Sequence, residues 1–316
     1  MKGLWRSEWL RARSRRLPWL VLVAGSVATV VGVGIATARS HPPVAPSGPP
    51  PPAYLADLQA CLDGRFLPAG ELPPEYPSLE AYCRDTVRRE FYEVQPPQLR
   101  LRGLSSLLEG IASIVVASGV VLGASLGGAD WSSGAISTLL TWEPRRVRLL
   151  AVRAIVAFVA IAVIALVLQG LLIALVRVGV ALRGSTQGAP PDWLAQAVGV
   201  AMRTAGVAAL FGGIALSLAT VGRSTVSALG ALFLYLVGVE GFGASLLVRT
   251  QAWLLVRNAV AAISERPIVA YLGDGAGYEV RAVVLRTPGE AWFVLLGWAA
   301  ILGALALWSF TARDVQ

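Results

Sequence analysis

Three reactive residue types are almost missing from this sequence. It has one lysine, Lys2, one histidine, His41, and two cysteines, Cys61 and Cys83. A P-loop sets a lysine beside the nucleotide phosphates after a glycine-rich turn. Lys2 has no such turn before it, so the chain binds no nucleotide by that route. Zinc sites draw on clustered His and Cys, and a serine triad needs a placed His. Neither can be assembled here, since His41 stands in a proline-rich stretch outside the apolar runs. Charge is scarce too: 15% of residues are charged and 55% hydrophobic, with a mean hydropathy of +0.64. A soluble domain carries more charge and rarely holds apolar runs beyond about 18 residues. Energy input or covalent chemistry is therefore expected from a partner.

What the sequence does contain is long apolar runs. Six of them, 17–38, 104–127, 149–176, 194–221, 226–247 and 290–310, predict an all-α polytopic membrane protein. The net charge of +8 reads as topology rather than nucleic-acid binding, because cytoplasmic flanks of spans collect Lys and Arg. Residues 1–16 hold Lys2, Arg6, Arg11, Arg13, Arg15 and Arg16 against one acid, Glu8. That places the N-terminus in the cytoplasm, and six spans return the tail 311–316 there. Arg145, Arg146, Arg148, Arg223 and Arg313 then fall on the same side. Trp5, Trp9 and Ala12 share one stripe, as in a short interfacial helix over 1–16. In the second run Gly119, Gly123 and Gly127 recur every four residues, a row that lets another helix approach closely.

Two segments are expected on the exported side. The first, 39–103, opens with the extended spacer "HPPVAPSGPPPP", followed by two helix-like pieces, "AYLADLQACLDGRF" and "SLEAYCRDTVRREFY". Each piece carries one cysteine. In an oxidising compartment Cys61 and Cys83 are expected to pair and staple a helical hairpin, worth about 3 kcal/mol by loop closure. The second, 248–289, is apolar but interrupted by Arg257, Glu265, Arg266 and Pro267. It is expected as helices lying on, or dipping into, the outer leaflet.

Between the second and third runs lies a cytoplasmic loop, 128–148. Ile136, Leu139 and Leu140 share a helical face, Asp130 with Ser132 and Ser133 suits a helix start, and Pro144 an end. Such a helix rests on lipid headgroups or serves as a knob for a partner. The stretch "LGASLGGADWSSGAISTLLTWEPRRVRLLAVR" resembles the signature loop of ABC-2 type transporter permeases through Asp130, Gly134, Leu139, Leu140, Pro144, Arg146 or Arg148, and Arg153. It departs from the family pattern in Asp for the commoner Glu, Ala135 for Thr, and Arg153 for Lys. "RSEWLRARSRRLPWLVL" is similar to the family's N-terminal elbow, and "LATVGRSTVSALGALFLYLVGVE" to the turn between spans four and five of actinobacterial members. The resemblance covers most of 1–38 and 104–316.

This resemblance implies a type V exporter-like fold with an exported insertion. It also implies a second permease copy or a homologous permease, and two ATP-binding subunits docked on the cytoplasmic side. ATP and Mg would be bound by those partners and none by this chain, which is not itself an enzyme. Asp130, Gly134, Leu139, Leu140, Glu143, Pro144, Arg145, Arg146 and Arg148 would form the coupling element. Arginine in place of lysine, with abundant Ala and Gly, suggests a GC-rich bacterium and hence a plasma membrane.

Ionisable groups inside spans are costly and face cavities or partners. Glu109, Gln169, Arg203 and Glu240 fall in one outer layer of the expected topology. Arg203 is expected to pair with Glu240 or Glu109, either as an extracytoplasmic gate or as a structural pair that fixes helix register. Besides an exporter subunit, the sequence admits a non-transport sensor or binding module that uses the 39–103 insertion.

Overall fold

A computed structural model describes residues 2–41, 49–67, 76–89, 92, 98–243, 248–273 and 280–312. Six helices are long and apolar enough to cross a membrane, as expected of a polytopic protein. They begin with α2 (Arg16–Arg39), preceded by α1 (Lys2–Ser14), and both lie ahead of two short helices, α3 (Pro52–Leu62) and α4 (Leu79–Thr86). The second span is α5 (Leu104–Ser132), followed by the two-turn α6 (Ala135–Trp142). Then come α7 (Arg146–Arg183), α8 (Trp193–Gly222) and α9 (Thr225–Leu234), the last continuing as a π-helix over Tyr235–Gly243. After α10 (Leu255–Ser264) and the strands β1 (Ile268–Gly273) and β2 (Val280–Arg286), the chain ends in α11 (Pro288–Ala312). Arg313 with the rest of the tail, residues 244–247 of the fifth expected span, and most of the proline spacer lie outside the described residues.

The chain divides into two compact units. The larger comprises 1–32, 102–175 and 189–316, and its centre is α8, the most buried of the six long helices. Lipid tails are as apolar as leucine, so helices in a bilayer associate by packing rather than by escape from water. The α5–α8 contact is built accordingly. A Cβ added at Gly119 would stand 2.6 Å from the Ala208 carbonyl oxygen, and one at Gly127 2.7 Å from that of Leu216. At Gly123 it would stand 2.0 Å from the carbonyl oxygen of Gly212. The contact advances four residues at a time, in the same sense, on both helices. Spans two and four are therefore parallel, as alternate spans of a chain that crosses back and forth must be. The neighbouring Gly128 meets the turn into α9, where a Cβ would approach the Thr225 amide nitrogen to 2.3 Å.

The smaller unit comprises 33–101 and 176–188. Here Cys61 and Cys83 form a disulfide with Cα atoms 5.7 Å apart. It lies buried against Val87 and packs with Tyr54, Leu58 and Tyr82. The Tyr92 hydroxyl donates to Asp57 at 2.6 Å, and Ser78 caps α4 by accepting from the Ala81 amide. Tyr76 and Arg88 both hydrogen-bond Asp85 and hold its carboxyl below the usual range. Ser40 ties three segments of this unit together, donating to the Arg183 carbonyl at 2.8 Å and accepting from the Leu99 amide at 2.9 Å.

Two expectations about secondary structure need correction: Asp130 and Ser132, expected at a helix start, lie in the last turns of α5, and α6 begins only after Gly134. The stretch 248–289 is not helical throughout. A 3-10 turn (Val248–Trp253) and α10 are followed by an antiparallel pair, β1 and β2, in register from Val269 opposite Val284 to Gly273 opposite Val280, with a shift before Val269 that sets Ile268 opposite Arg286. Pro267 stops the helix, and the residues after it are β-branched and aromatic: Ile268, Val269, Tyr271, then Val280, Val283 and Val284.

Gly123→Val should force α5 off α8, because the atom it meets is backbone and cannot rotate away. The cost should be about 3 kcal/mol, the upper end for overpacking. Gly110→Ala, which meets nothing within 4 Å, should be near neutral. Thermal unfolding of the two variants in detergent, read by tryptophan fluorescence, tests the difference.

Candidate functional site

A buried cluster of charges binds α1 to the facing ends of α5 and α7. Asp130, in the last turns of α5, accepts from Arg15 at 2.5 Å and is hydrogen-bonded by Arg153 of α7. Arg153 also reaches Glu8 of α1 at 3.5 Å, and Glu8 accepts from Arg11 at 2.8 Å. Arg15 donates a second bond to the Ser125 carbonyl at 2.8 Å. Burial pulls the Arg15 guanidinium below its ordinary value, and the Asp130 carboxylate opposes that shift. The Asp130 and Arg153 side chains are each only 8% exposed. Charges taken out of water this far persist only when paired and hydrogen-bonded. Asp130 therefore serves as an internal tie and offers no surface to a partner. Arg11 and Arg15 were not legible as partners of Asp130, nor Glu8 as a partner of Arg153. The signal in the sequence was a single acid within a basic segment.

Beyond Asp130 the chain leaves α5 and turns at Gly134, whose φ of 70° is the left-handed region that favours glycine. The helix α6 that follows has two unlike faces. Ile136 is buried with Leu149 and Phe310, and Leu139 and Leu140 pack against them. Trp131 stacks edge-on to Phe310 with centroids 5.9 Å apart, and the Arg223 guanidinium lies 5.0 Å over the Trp131 ring. Arg146 donates to the Phe310 carbonyl at 3.1 Å, tying the start of α7 to the end of α11. Glu143 and Arg148 lie 3.9 Å apart. The opposite face is bare: Ser137, Thr138, Thr141 and Trp142 are exposed, continuing into Pro144 and Arg145. Trp142 is 86% exposed, the highest value among the exposed large hydrophobic residues. The expected coupling residues thus divide. Leu139, Leu140, Glu143, Arg146 and Arg148 hold the element in place, while Pro144 and Arg145 present themselves.

The expected pairing of Arg203 with Glu240 or Glu109 is overturned. Arg203 is 2.8 Å from Glu265 and donates through Nε to the Ile263 carbonyl at 2.9 Å. Glu109 pairs with Arg266 at 3.3 Å. Glu240 accepts from the Val256 amide at 2.6 Å and from the Tyr235 hydroxyl at 3.0 Å, and that hydroxyl accepts from the Leu255 amide at 2.8 Å. The physical reason is α10. It folds back against the spans and has open amides at its start and open carbonyls at its end. Glu240 and Tyr235 cap the first, Arg203 the second, each with the charge sign the helix dipole favours. Ten helical residues, about 15 Å at 1.5 Å each, separate the two groups that were expected to meet. Glu265 carries the chain out of α10 with a φ of 55°, another left-handed position. Gln169, placed in the same layer by sequence, is buried and makes no hydrogen bond among the described residues.

An apolar cavity of about 640 Å³ lies beneath this arrangement, between α5, Phe211 of α8, Leu236 and α10, with Glu109, Arg257 and Arg266 among its lining residues.

No family model matches the chain, and no curated protein matches its sequence.

Two outcomes follow from this geometry. Asp130→Asn removes the shared anion of Arg15 and Arg153 and leaves buried Arg153 with Glu8 alone, at a cost of about 3 kcal/mol, the low end for breaking a buried pair. Glu80→Gln, which breaks the exposed pair with Arg84, should change stability by less than about 1 kcal/mol. Paired thermal unfolding curves check the contrast. Arg203→Leu should unfasten the end of α10, raising hydrogen exchange at amides 260–264 by tenfold or more, since losing a buried charged bond costs about 1.5–3 kcal/mol. Amides 208–216 of α8 should stay protected.

Proposed function

We propose that the chain is the membrane-spanning permease subunit of an ATP-binding cassette exporter of the ABC-2 type. In this reading α6 is the coupling helix, received by a groove on a separate ATPase subunit. The observation that carries the proposal is the two-sided character of α6. One face is fixed to Leu149 and Phe310, and the other holds out Trp142, Pro144 and Arg145 with nothing covering them. A bare tryptophan beside an arginine is the composition of an interface anchor. The ion cluster at Asp130 supports the same reading, because it locks α1, α5 and α7 together directly behind α6. A push on α6 would be passed to three elements as one body.

The working complex would contain two ATPase subunits and a second permease, identical or homologous. ATP and Mg would be bound by the ATPases, with no covalent chemistry in this chain. It would sit in a bacterial plasma membrane with both termini cytoplasmic, and the apolar spans suit an amphipathic or lipid-like cargo. The disulfide-closed unit favours a second reading, a sensor or binding module that transports nothing.

Affinity purification from native membranes in mild detergent, with protein identification and an ATPase assay, separates the two. The exporter reading expects a stoichiometric ATPase partner. Trp142→Ala should weaken its binding by roughly 30-fold, about 2 kcal/mol for an anchor residue. Arg145→Glu should do likewise, and thermal stability should be unchanged because neither side chain packs inward. Recovery of the folded chain without an ATPase would sink the exporter reading and favour the sensor.

A further inference from the structure

A second cavity, of about 320 Å³, lies where α1 passes into α2 and both face α5 and α7. That volume is at the small end of the range for ligand sites, about 300–1,000 Å³. Trp9 and Trp19 of the first two helices, Leu122 of α5, and Ile164 with the small Ala160 of α7 line it. The Trp19 indole donates to the Arg13 carbonyl at 2.9 Å, which spends its only polar side-chain atom. The walls therefore offer almost no hydrogen-bonding group. A peptide backbone could not be satisfied there.

Arg13 is the exception in the lining. Its side chain is exposed and forms no ion pair among the described residues. The sole acid within 1–16, Glu8, is already engaged by Arg11 and Arg153. Arg6 and Arg16 are likewise exposed and unpaired among the described residues. An apolar slot with an unneutralised cation at its mouth complements a hydrocarbon chain joined to an anionic head. Tryptophans at the start of a span set that mouth at headgroup level.

We propose that this crook is a binding site for one anionic phospholipid, with an acyl chain between Trp9, Trp19 and Ala160 and the phosphate at Arg13. The site lies apart from α6 and does not depend on the exporter reading. A zwitterionic lipid also brings a phosphate but offsets it with its own ammonium, so Arg13 favours the net anion, and free phosphate would leave the slot empty.

The test uses the full chain in phosphatidylcholine vesicles. Either phosphatidylglycerol or phosphatidylcholine with brominated acyl chains is added at equal mole fraction, and quenching of tryptophan fluorescence is recorded. The contribution of Trp9 and Trp19 is isolated by difference against the Trp9→Phe/Trp19→Phe variant. Brominated phosphatidylglycerol is expected to quench these two indoles more strongly. Arg13→Gln should reduce that preference about fivefold, the worth of one basic residue at an anionic surface. Ala160→Phe, which fills the slot, should abolish the extra quenching in a folded protein. Equal quenching by the two lipids would overturn the site, leaving only ordinary boundary lipid. So would a preference unchanged in Arg13→Gln, or one that survives a folded Ala160→Phe. The Arg13 side chain makes no hydrogen bond or ion pair among the described residues, and its carbonyl, which Trp19 uses, is kept in Arg13→Gln, so that variant remains informative even if Ala160→Phe does not fold.

Discussion

The backbone of α5 touches the backbone of α8, and the larger unit is arranged around that contact. In water, burying side chains would suffice to join two helices. In lipid the gain must come from atoms brought closer than side chains normally permit. Glycine at 119, 123 and 127 removes the obstruction on α5, and Gly212 removes it on α8. Ile161 of α7 then enters the same seam: a Cβ at Gly212 would stand 2.3 Å from its methyl. Trp292 of α11 lies against Gly206 from another side. Three spans are thus placed by gaps in the side-chain layer of α8.

Charge works at the two ends of this assembly and in different ways. At one end, Glu8, Asp130 and Arg153 are buried and satisfy each other together with the half-buried Arg11 and Arg15. Such clusters contribute less to net stability than to fixing which elements meet, since a wrong neighbour would strand a buried charge. At the other end, Glu240, Arg203 and Glu109 bind a folded-back segment through helix caps and half-exposed pairs. The first arrangement resists rearrangement; in the second the pairs through exposed Glu265 and Arg266 contribute little, and the helix caps carry the hold.

The spans were legible as six long apolar helices because length and hydropathy alone define them, but their ends were not: α7 continues to Arg183 and α5 to Ser132, past the apolar runs. The glycine row was legible because its period matches one face of a helix. The cysteines were legible as a pair because the chain has only two. Partner choice among charges was not. Arg203, Glu109 and Glu240 share a layer, but depth in the bilayer does not fix azimuth, and the true partners lie in a segment whose fold was misjudged. That segment misled because Pro267 divides a helical pattern from a strand pattern, and the whole was read as one. Glu8 escaped notice because a single acid carries no periodicity.

Consider α10 once more as a mechanical part. Its first amides are held by Tyr235 and Glu240, on the continuation of span five. Its last carbonyls are held by Arg203, on span four. A hydrogen-bonded helix does not stretch, so it behaves as a strut of fixed length between those two spans. If span five moves relative to span four, α10 must ride with one of them and let go of the other. The weaker of its two fastenings therefore sets the force at which these spans can separate.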